Sequence, residues 1–415
     1  MKILLITQVF YPDTVSVSQH LTDLAEKLVE DGQEVTVYTS CYPYEEKTHR
    51  YSKLENFQGV KIERLRQSSF GKRNNLTRLL DFFTFYFSIS IKLLLVKPKK
   101  FDVIVGTTVP PLLSFVGVIL SKLKGIKFHY WVMDLQPELS ISSGLIKKDS
   151  LSASFFTKLG NYIIRNSACV ISLDRFMTQY LYSRGAKKDS VKTIAVWPVM
   201  DETFKGSRMS NPFRIENSFG DKVVIMYSGN HAFVHQLDTL LEAALILKEN
   251  SRFLFVFVGG GVRKKDVTEF RIKHNLANIV QLPFQPRENI HNSLGSSDIQ
   301  VVILGNCQVG YTHPNKVYGA MYIGKPVLYI GPSESHVADL INDLDGNISV
   351  QHGESQILAE KIEALFSASW DEINRIGQRN LTYANENFHP EVLKQKMLDA
   401  IIGYVRRQTN VDFWL

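Results

Sequence analysis

The feature that most constrains this chain is an alternation that runs, stops and starts again. "KILLIT" precedes "SQHLTDLAEKLVEDG", in which Leu21, Leu24, Ala25 and Leu28 recur at helical spacing before Gly32, and "QEVTVYTS" follows. That is a β-α-β unit, and strands apolar at nearly every position belong in a parallel sheet covered on both faces. The pattern continues with "FDVIVGTT", a helix over 111–123, "KFHYWVMD", helices near 153–164 and 174–183 on either side of "ACVISL", and "VKTIAVWP". A polar, irregular bridge, roughly 201–221, then interrupts it. Alternation resumes with "KVVIMYSG", "LDTLLEAALILKE", "RFLFVFVGGG", a helix ending near 273, "IVQLPF", a short helix and "SDIQVVIL". "HPNKVYGAMYIGKPVLYIG" reads as a helix followed by a strand, and helices near 355–366 and 390–406 close the chain. The restart predicts an α/β fold of two Rossmann-like, doubly wound parallel-sheet domains, 1–200 and 201–389, rather than one long sheet.

With 415 residues, 44% of them hydrophobic and 21% charged, there is ample material for two cores. The net charge of +7 suits an anionic partner such as nucleotide phosphates or anionic lipid. Nucleic acid is disfavoured, because the basic residues form no patch interleaved with aromatics and no binding motif is present. Cys41, Cys169 and Cys307 lie far apart without metal spacing, an odd and sparse set that fits a reducing cytosol. "MKILLIT" lacks the length and cleavage site of a signal peptide and reads as a first strand. Residues 79–96, "LLDFFTFYFSISIKLLLV", are about long enough to span a bilayer, but Asp81 and Lys92 would be costly there. Basic residues flank the run (Lys72, Arg73, Arg78, then Lys97, Lys99, Lys100). This predicts a helix that is buried or lies against an anionic surface, not one that crosses it.

The loop after the first strand, "QVFYPDTVSVSQ", contains no glycine, which argues against a dinucleotide fold of the GxGxxG type and hydride transfer. The P-loop spacing is also absent, which argues against a kinase or ATPase. "YSGN" (Tyr227 to Asn230) and "VGGG" (Val258 to Gly261) end strands, as tight turns or as ligand-binding strand ends. Pro314 and Asn315 are good helix-start residues, and an Asn side-chain cap leaves backbone N–H groups outward. Together with Lys316 they form an anion site, or else a plain capped helix with a solvated lysine. Pro326 suits the first position of a buried strand. Gly319 sits within the helix, where glycine costs ~1 kcal/mol relative to alanine.

These segments carry a resemblance. "PNKVYGAMYIGKPVLYIG" resembles the "P-S-K-x-Y-…-GKPV" segment of the family 4 glycosyltransferases, whose two Rossmann-like domains face a central cleft in the GT-B fold. "DVIVGTTVPPLL", "WVMDLQPE", "YSGN…LDTLLEAA", "FVGGG" and "NFHPEVLKQKMLDAI" resemble further segments of that family in the same order. The similarity spans essentially the whole chain and is nearest to transferases that build bacterial surface polysaccharides such as O-antigen and capsule. It implies a C-terminal helix, 390–415, completing the first, acceptor-side domain.

What the resemblance implies is retaining transfer of a sugar, an N-acetylated hexosamine among the options, from a nucleotide diphosphate sugar such as a UDP-sugar. The acceptor would be a lipid-linked or other saccharide, and no metal or further cofactor is expected. Asn315 and Lys316 would hold the diphosphate, with Lys316 also stabilising its departure. Gly229, Asn230, Gly259 and Gly260 would admit the donor, Phe284 would face the nucleobase, and Pro314, Tyr318 and Gly319 complete the donor-side set. On the acceptor side, Asp134 and Glu138 could orient or deprotonate a hydroxyl, or simply cap and start a helix. Ser16 and Ser18 stand where relatives have glycines, and His129 reads as a core residue. His231, His235 and His313 flank the donor side without metal spacing. The chain departs from the family where two glutamates are common, at Tyr311 and Gly319. It departs again where an arginine and a lysine are common, at Asn230 and at His235 or Gln236, and Met133-Asp134 replaces His-Asp. The expected location is the cytoplasm, peripheral at the inner face of the membrane. A nucleotide-sugar 2-epimerase of the same architecture is the rival reading.

Overall fold

A computed structural model describes residues 1–44, 49–70, 75–200 and 203–409. Lys72, Arg73 and the start of the bridge at Asp201 lie outside the described residues, as do the side chain of Arg78 and the chain beyond Thr409. The chain forms two compact units. One comprises Met1–Ala195, Gly310–Thr312 and the chain from Glu391; the other comprises Val196–Val309 and His313–Pro390.

The first unit runs β1 (Lys2–Ile6), α1 (Ser16–Glu30), β2 (Glu34–Ser40), β3 (Leu54–Phe57), β4 (Val60–Leu65), α2 (Asn75–Leu94), β5 (Val103–Gly106), α3 (Leu113–Lys124), β6 (Lys127–Trp131), α4 (Glu138–Ser142), α5 (Leu151–Asn166), β7 (Cys169–Ser172), α6 (Arg175–Ser183) and β8 (Val191–Thr193). Its sheet has the order β3-β4-β2-β1-β5-β6-β7-β8, and only the β3–β4 pair is antiparallel. Central β1 shows why: Ile3, Leu4, Leu5 and Ile6 are all fully buried, paired in parallel with β2 and β5, and covered on both faces. Local signals place the helices. Ser150 and Asp174 cap α5 and α6 by accepting from the N–H groups of Ala153 and Met177.

The second unit runs α7 (Pro212–Glu216), β9 (Val223–Ser228), α8 (Asp238–Ile246), β10 (Phe253–Val258), α9 (Lys264–Lys273), β11 (Ile279–Leu282), α10 (Ile290–Gly295), β12 (Ile299–Ile303), α11 (Lys316–Tyr322), β13 (Val327–Ile330), α12 (His336–Asn342), β14 (Ile348–Val350), α13 (Ser355–Ser367) and α14 (Trp370–Phe388). Its sheet, β11-β10-β9-β12-β13-β14, is wholly parallel. The final helix, α15 (Pro390–Thr409), belongs from Glu391 onward to the first unit, where Lys27 Nζ donates to Glu391 at 2.9 Å. The two doubly wound sheets expected from the alternation are therefore present.

Several elements escaped the periodicity. The β3–β4 hairpin buries one face only, and α14 is polar apart from sparse anchors such as Ile373, Ile376 and Ala384. Helix α14 seats itself by backbone contact: a Cβ on Gly377 would lie 2.1 Å from the Gly324 carbonyl oxygen, and Asn380 donates to Lys325 O at 2.8 Å. That explains the Gly324-Lys325-Pro326 turn, whose glycine has φ +71°. Among the described residues no helix is long and apolar enough to cross a membrane.

The bridge segment is anchored by a buried charge cluster. Asp298 accepts from Val224 N at 2.8 Å, Arg214 Nη2 at 3.0 Å and Arg208 Nε at 2.7 Å. Arg214 and Asp298 are both buried. Burial lowers the Arg214 pKa, while Asp298 acts in the opposite direction. Removing one partner would strand the other charge, so Asp298→Ala should cost about 3–5 kcal/mol in urea unfolding. An unchanged midpoint would show that the cluster is not a structural anchor.

Candidate functional site

The carboxyl ends of β9 and β10 come together through glycine. Gly229, Gly259 and Gly261 have φ of +121°, +126° and +126°, a region that side chains other than glycine rarely adopt. Space is as limiting as conformation. A Cβ on Gly259 would lie 2.1 Å from Gly229 O, one on Gly261 would lie 2.4 Å from Asn230 Oδ1, and one on Gly229 would lie 2.7 Å from Lys316 Cε. The turns are tied by Gly229 N to Val258 O at 2.9 Å and His231 N to Gly260 O at 2.6 Å. Phe284, half exposed after β11, sets its ring edge about 3.0 Å from where a Gly260 Cβ would stand. Gly229, Asn230, Gly259, Gly260, Phe284 and Lys316 are thus gathered at one edge of the second unit.

Lys316, the first residue of α11, reaches into this edge. Its ammonium sits 3.7 Å from the centroid of the Tyr227 ring and donates to Asn230 O at 3.4 Å. Among the described residues no carboxylate pairs with it, and desolvation pushes its pKa down to about 7. The Tyr227 hydroxyl donates to Asn230 O at 2.9 Å and meets His235 Nδ1 at 2.8 Å. Desolvation, reinforced by the Lys316 charge, lowers His231 to about 4 and His235 to about 3, so both imidazoles are neutral at pH 7. A cation without a counter-ion, set among backbone turns, is arranged to take an anion. Tyr227 was not assigned a role from sequence. No spacing rule links residue 227 to residue 316, and only the fold stacks them.

Other expectations change here. The Asn315 side chain makes no cap hydrogen bond to α11, because its backbone is already helical at φ −53° and ψ −21°. Val317 N and Tyr318 N donate instead to Pro314 O and Asn315 O, at 3.2 and 3.3 Å. These early N–H groups are occupied within a seven-residue helix, so the charge at this edge comes from Lys316 and not from a capped helix end. Pro314 is half-buried just before α11. Tyr318 is fully buried: its hydroxyl bridges His313 Nε2 and His336 Nε2, each at 2.7 Å, and its ring packs on Phe388. It therefore braces α11 against α12 from the core. A Cβ on Gly319 would meet Met200 Cε at 3.5 Å and Leu294 Cδ1 at 3.8 Å, ordinary contact distances.

In the first unit, Asp134 follows β6, half-buried, with its N–H on Thr108 Oγ1 at 3.3 Å. It pairs in an antiparallel bridge with Thr312, and Leu135 N donates to Tyr311 O at 2.8 Å. Tyr311 therefore sits in the first unit, its ring 4.9 Å from that of Tyr180. Glu138 accepts from the Tyr180 hydroxyl at 2.7 Å and pairs with Arg184 at 3.3 Å. That engagement makes Glu138 a strut for α6. His129 is fully buried in β6 and neutral, with desolvation lowering its pKa to about 3. Ser16 opens α1 and Ser18 is buried within it. Among the described residues no three His, Cys, Asp or Glu side chains form a metal-binding group.

Comparison with known proteins agrees with this architecture. The model for "glycosyl transferase 4-like domain" matches residues 17–197, and that for "glycosyl transferases group 1" matches residues 210–381. The probable glycosyltransferase WbjE of Pseudomonas aeruginosa is 24% identical over 277 residues, 65% of this chain and 68% of that one. The putative colanic acid biosynthesis glycosyl transferase WcaI of Escherichia coli is 22% identical over 366 residues, covering 83% and 87%. Among solved structures, sucrose-phosphate synthase from Thermosynechococcus elongatus superposes with a TM-score of 0.77 at 14% identity, covering 99% of this chain and 100% of that one. HepE from Anabaena, solved with UDP and glucose, superposes at 0.71 with 16% identity, covering 97% and 99%. Fold and matches define a glycosyltransferase of the GT-B class. The chain belongs to the family 4 glycosyltransferases.

Two glycine substitutions should move stability in opposite directions. Gly259→Ala meets both a backbone collision and a positive φ, and should destabilise by roughly 1 kcal/mol or more. Gly319→Ala has ordinary helical geometry and room for a methyl, and should stabilise by about 0.5–1 kcal/mol. Thermal melts of the two variants measure both effects, and the same sign for both would contradict the geometry.

Proposed function

We propose that the protein transfers a hexosyl or N-acetylhexosaminyl group, with retention, from a nucleotide diphosphate sugar to a lipid-linked or other saccharide acceptor during bacterial surface-polysaccharide synthesis. The observation that carries the donor half is Lys316, an ammonium without a carboxylate partner among the described residues, set on Tyr227 beside the Gly229 and Gly259 turns. The solved complex of HepE with UDP and glucose supports a UDP-sugar as donor. The colanic acid assignment of WcaI supports the polysaccharide setting. Both family models and both curated relatives are glycosyltransferases, which leaves the 2-epimerase reading without support.

In this reading the bond from the anomeric carbon to the diphosphate oxygen breaks, and a bond from that carbon to the acceptor oxygen forms. Negative charge grows on the departing diphosphate, where Lys316 would stabilise it without needing a metal. Phe284 would stack on the base, and the glycine turns would admit the phosphates to backbone contact. Asp134 would orient the acceptor hydroxyl or take its proton. The enzyme would work in the cytoplasm, at the inner face of the membrane.

UDP, GDP and ADP should be tested by thermal shift, where a ligand at one hundred times its Kd adds about 2.7 kcal/mol. Stabilisation by none of the three would overturn the donor site. Lys316→Ala should abolish the shift while leaving the unliganded melting temperature nearly unchanged.

The pH dependence has a fixed sign. An anion favours the ammonium, so binding raises the Lys316 pKa above its free value of about 7. Below that pH the free protein already carries the proton, and above it the proton must be taken up with the ligand. UDP affinity should therefore fall between about pH 7 and pH 9, by up to tenfold per unit, as read by calorimetry. Lys316→Arg should flatten the profile because a guanidinium stays charged. A flat wild-type profile would remove Lys316 from the diphosphate.

A further inference from the structure

Helix α2 is apolar on the side where a surface helix is ordinarily polar. Asp81, Phe85, Ile89 and Leu93 form its buried stripe. Half a turn round, Leu79, Phe83, Phe87, Ile91 and Leu95 point outward, with Phe83 67% and Phe87 62% exposed. The two described charges of the helix are both drawn inward. Asp81 accepts from the Ser68 hydroxyl and Phe70 N–H, and Lys92 pairs with Glu63 and lies over the Tyr38 ring. The outward stripe is left uncharged and unbroken over about four turns.

Positive charge gathers at the C-terminal end of this stripe. Lys97, Lys99 and Lys100 follow α2 and are all exposed. Helix α3 packs between α2 and α5, and Lys124 Nζ at its end donates to Leu94 O at 2.7 Å. Leu123 beside it is also exposed. Next to α3, an open cavity of about 370 Å³ is lined by Lys122, Lys127, Arg165 and Lys187, with no carboxylate in its lining. An apolar stripe that ends in concentrated positive charge fits a surface that is oily inside and anionic outside.

We infer that the α2–α3 face is a docking surface for an anionic phospholipid bilayer. Helix α2 lies in the interface plane, its outward stripe at the acyl boundary, while the lysines after α2 and the basic cavity take headgroup phosphates. The inference deepens the lipid-linked acceptor reading, and rests on that reading only for its biological purpose.

The test is co-sedimentation of the full chain with phosphatidylcholine vesicles, with and without phosphatidylglycerol. The wild type should pellet with the anionic vesicles and much less with the neutral ones. Phe83→Ser combined with Phe87→Ser should lower partition at least about tenfold. Lys97→Glu, Lys99→Glu and Lys100→Glu together should remove the preference for anionic lipid. Both variants should melt normally and keep the wild-type UDP shift, which separates loss of docking from loss of the donor site. Failure of the wild type to bind anionic vesicles, or equal binding by the double variant, would overturn the proposal even if UDP still binds. So would a dimer in lipid-free sedimentation velocity that the Phe83 and Phe87 substitutions dissociate, since a second copy would then be the occupant.

Discussion

The candidate donor edge depends on one close approach, the Gly229 carbonyl against the α-carbon of Gly259. With a hypothetical Cβ only 2.1 Å from that oxygen, glycine alone lets the ends of β9 and β10 meet. Both turns take positive φ, a conformation open to glycine at little steric cost. Because the turns close, Tyr227 is held under Lys316 and Asn230 O lies within the ammonium's reach. A lysine so placed is desolvated before any ligand arrives. Its affinity for an anion and its lowered pKa share one cause.

Charge is handled elsewhere in the molecule by the opposite rule, which is to satisfy it before burying it. Asp298 meets two arginines and a backbone N–H, Glu138 meets Tyr180 and Arg184, and the two described charges of α2 turn toward the core. Against that background Lys316, which has no carboxylate partner among the described residues, and the uncharged outer stripe of α2 stand apart. The replaced glutamates also gain a meaning. Tyr311 serves the first unit by packing on Tyr180, and Gly319 faces Met200 and Leu294 at distances where a Cβ would make ordinary contact.

Much of the fold was legible because it depends on sequence-local periodicity. Apolar runs such as Ile3 to Ile6 and Phe253 to Val258 announce strands buried on both faces, and the interruption after Trp197-Pro198 marks where a second sheet begins. The β3–β4 hairpin and α14 were not read from the sequence: the hairpin buries a single face, and the buried stripe of α14 includes Gly377 and Asn380, which seat it by backbone contact and thin out its apolar signal. Within the candidate site, the glycines and Lys316 could be read as types with known uses. The helix cap expected at Asn315 fails because its own backbone is already helical, with ψ −21° where the capping Ser150 has 153°, a local conformation that composition does not encode.

By itself the sequence determined the two parallel sheets, the residue types at their strand ends and the apolar character of residues 79–96, since period and composition set what must be buried. Tertiary structure alone decided which of those residues meet. It set Lys316 on Tyr227 across 89 positions of chain, enclosed Tyr318 between two histidines and turned both described charges of α2 inward. Those outcomes follow from how strand ends converge and which helix face finds the sheet. Contacts of that range depend on packing, which no local pattern specifies.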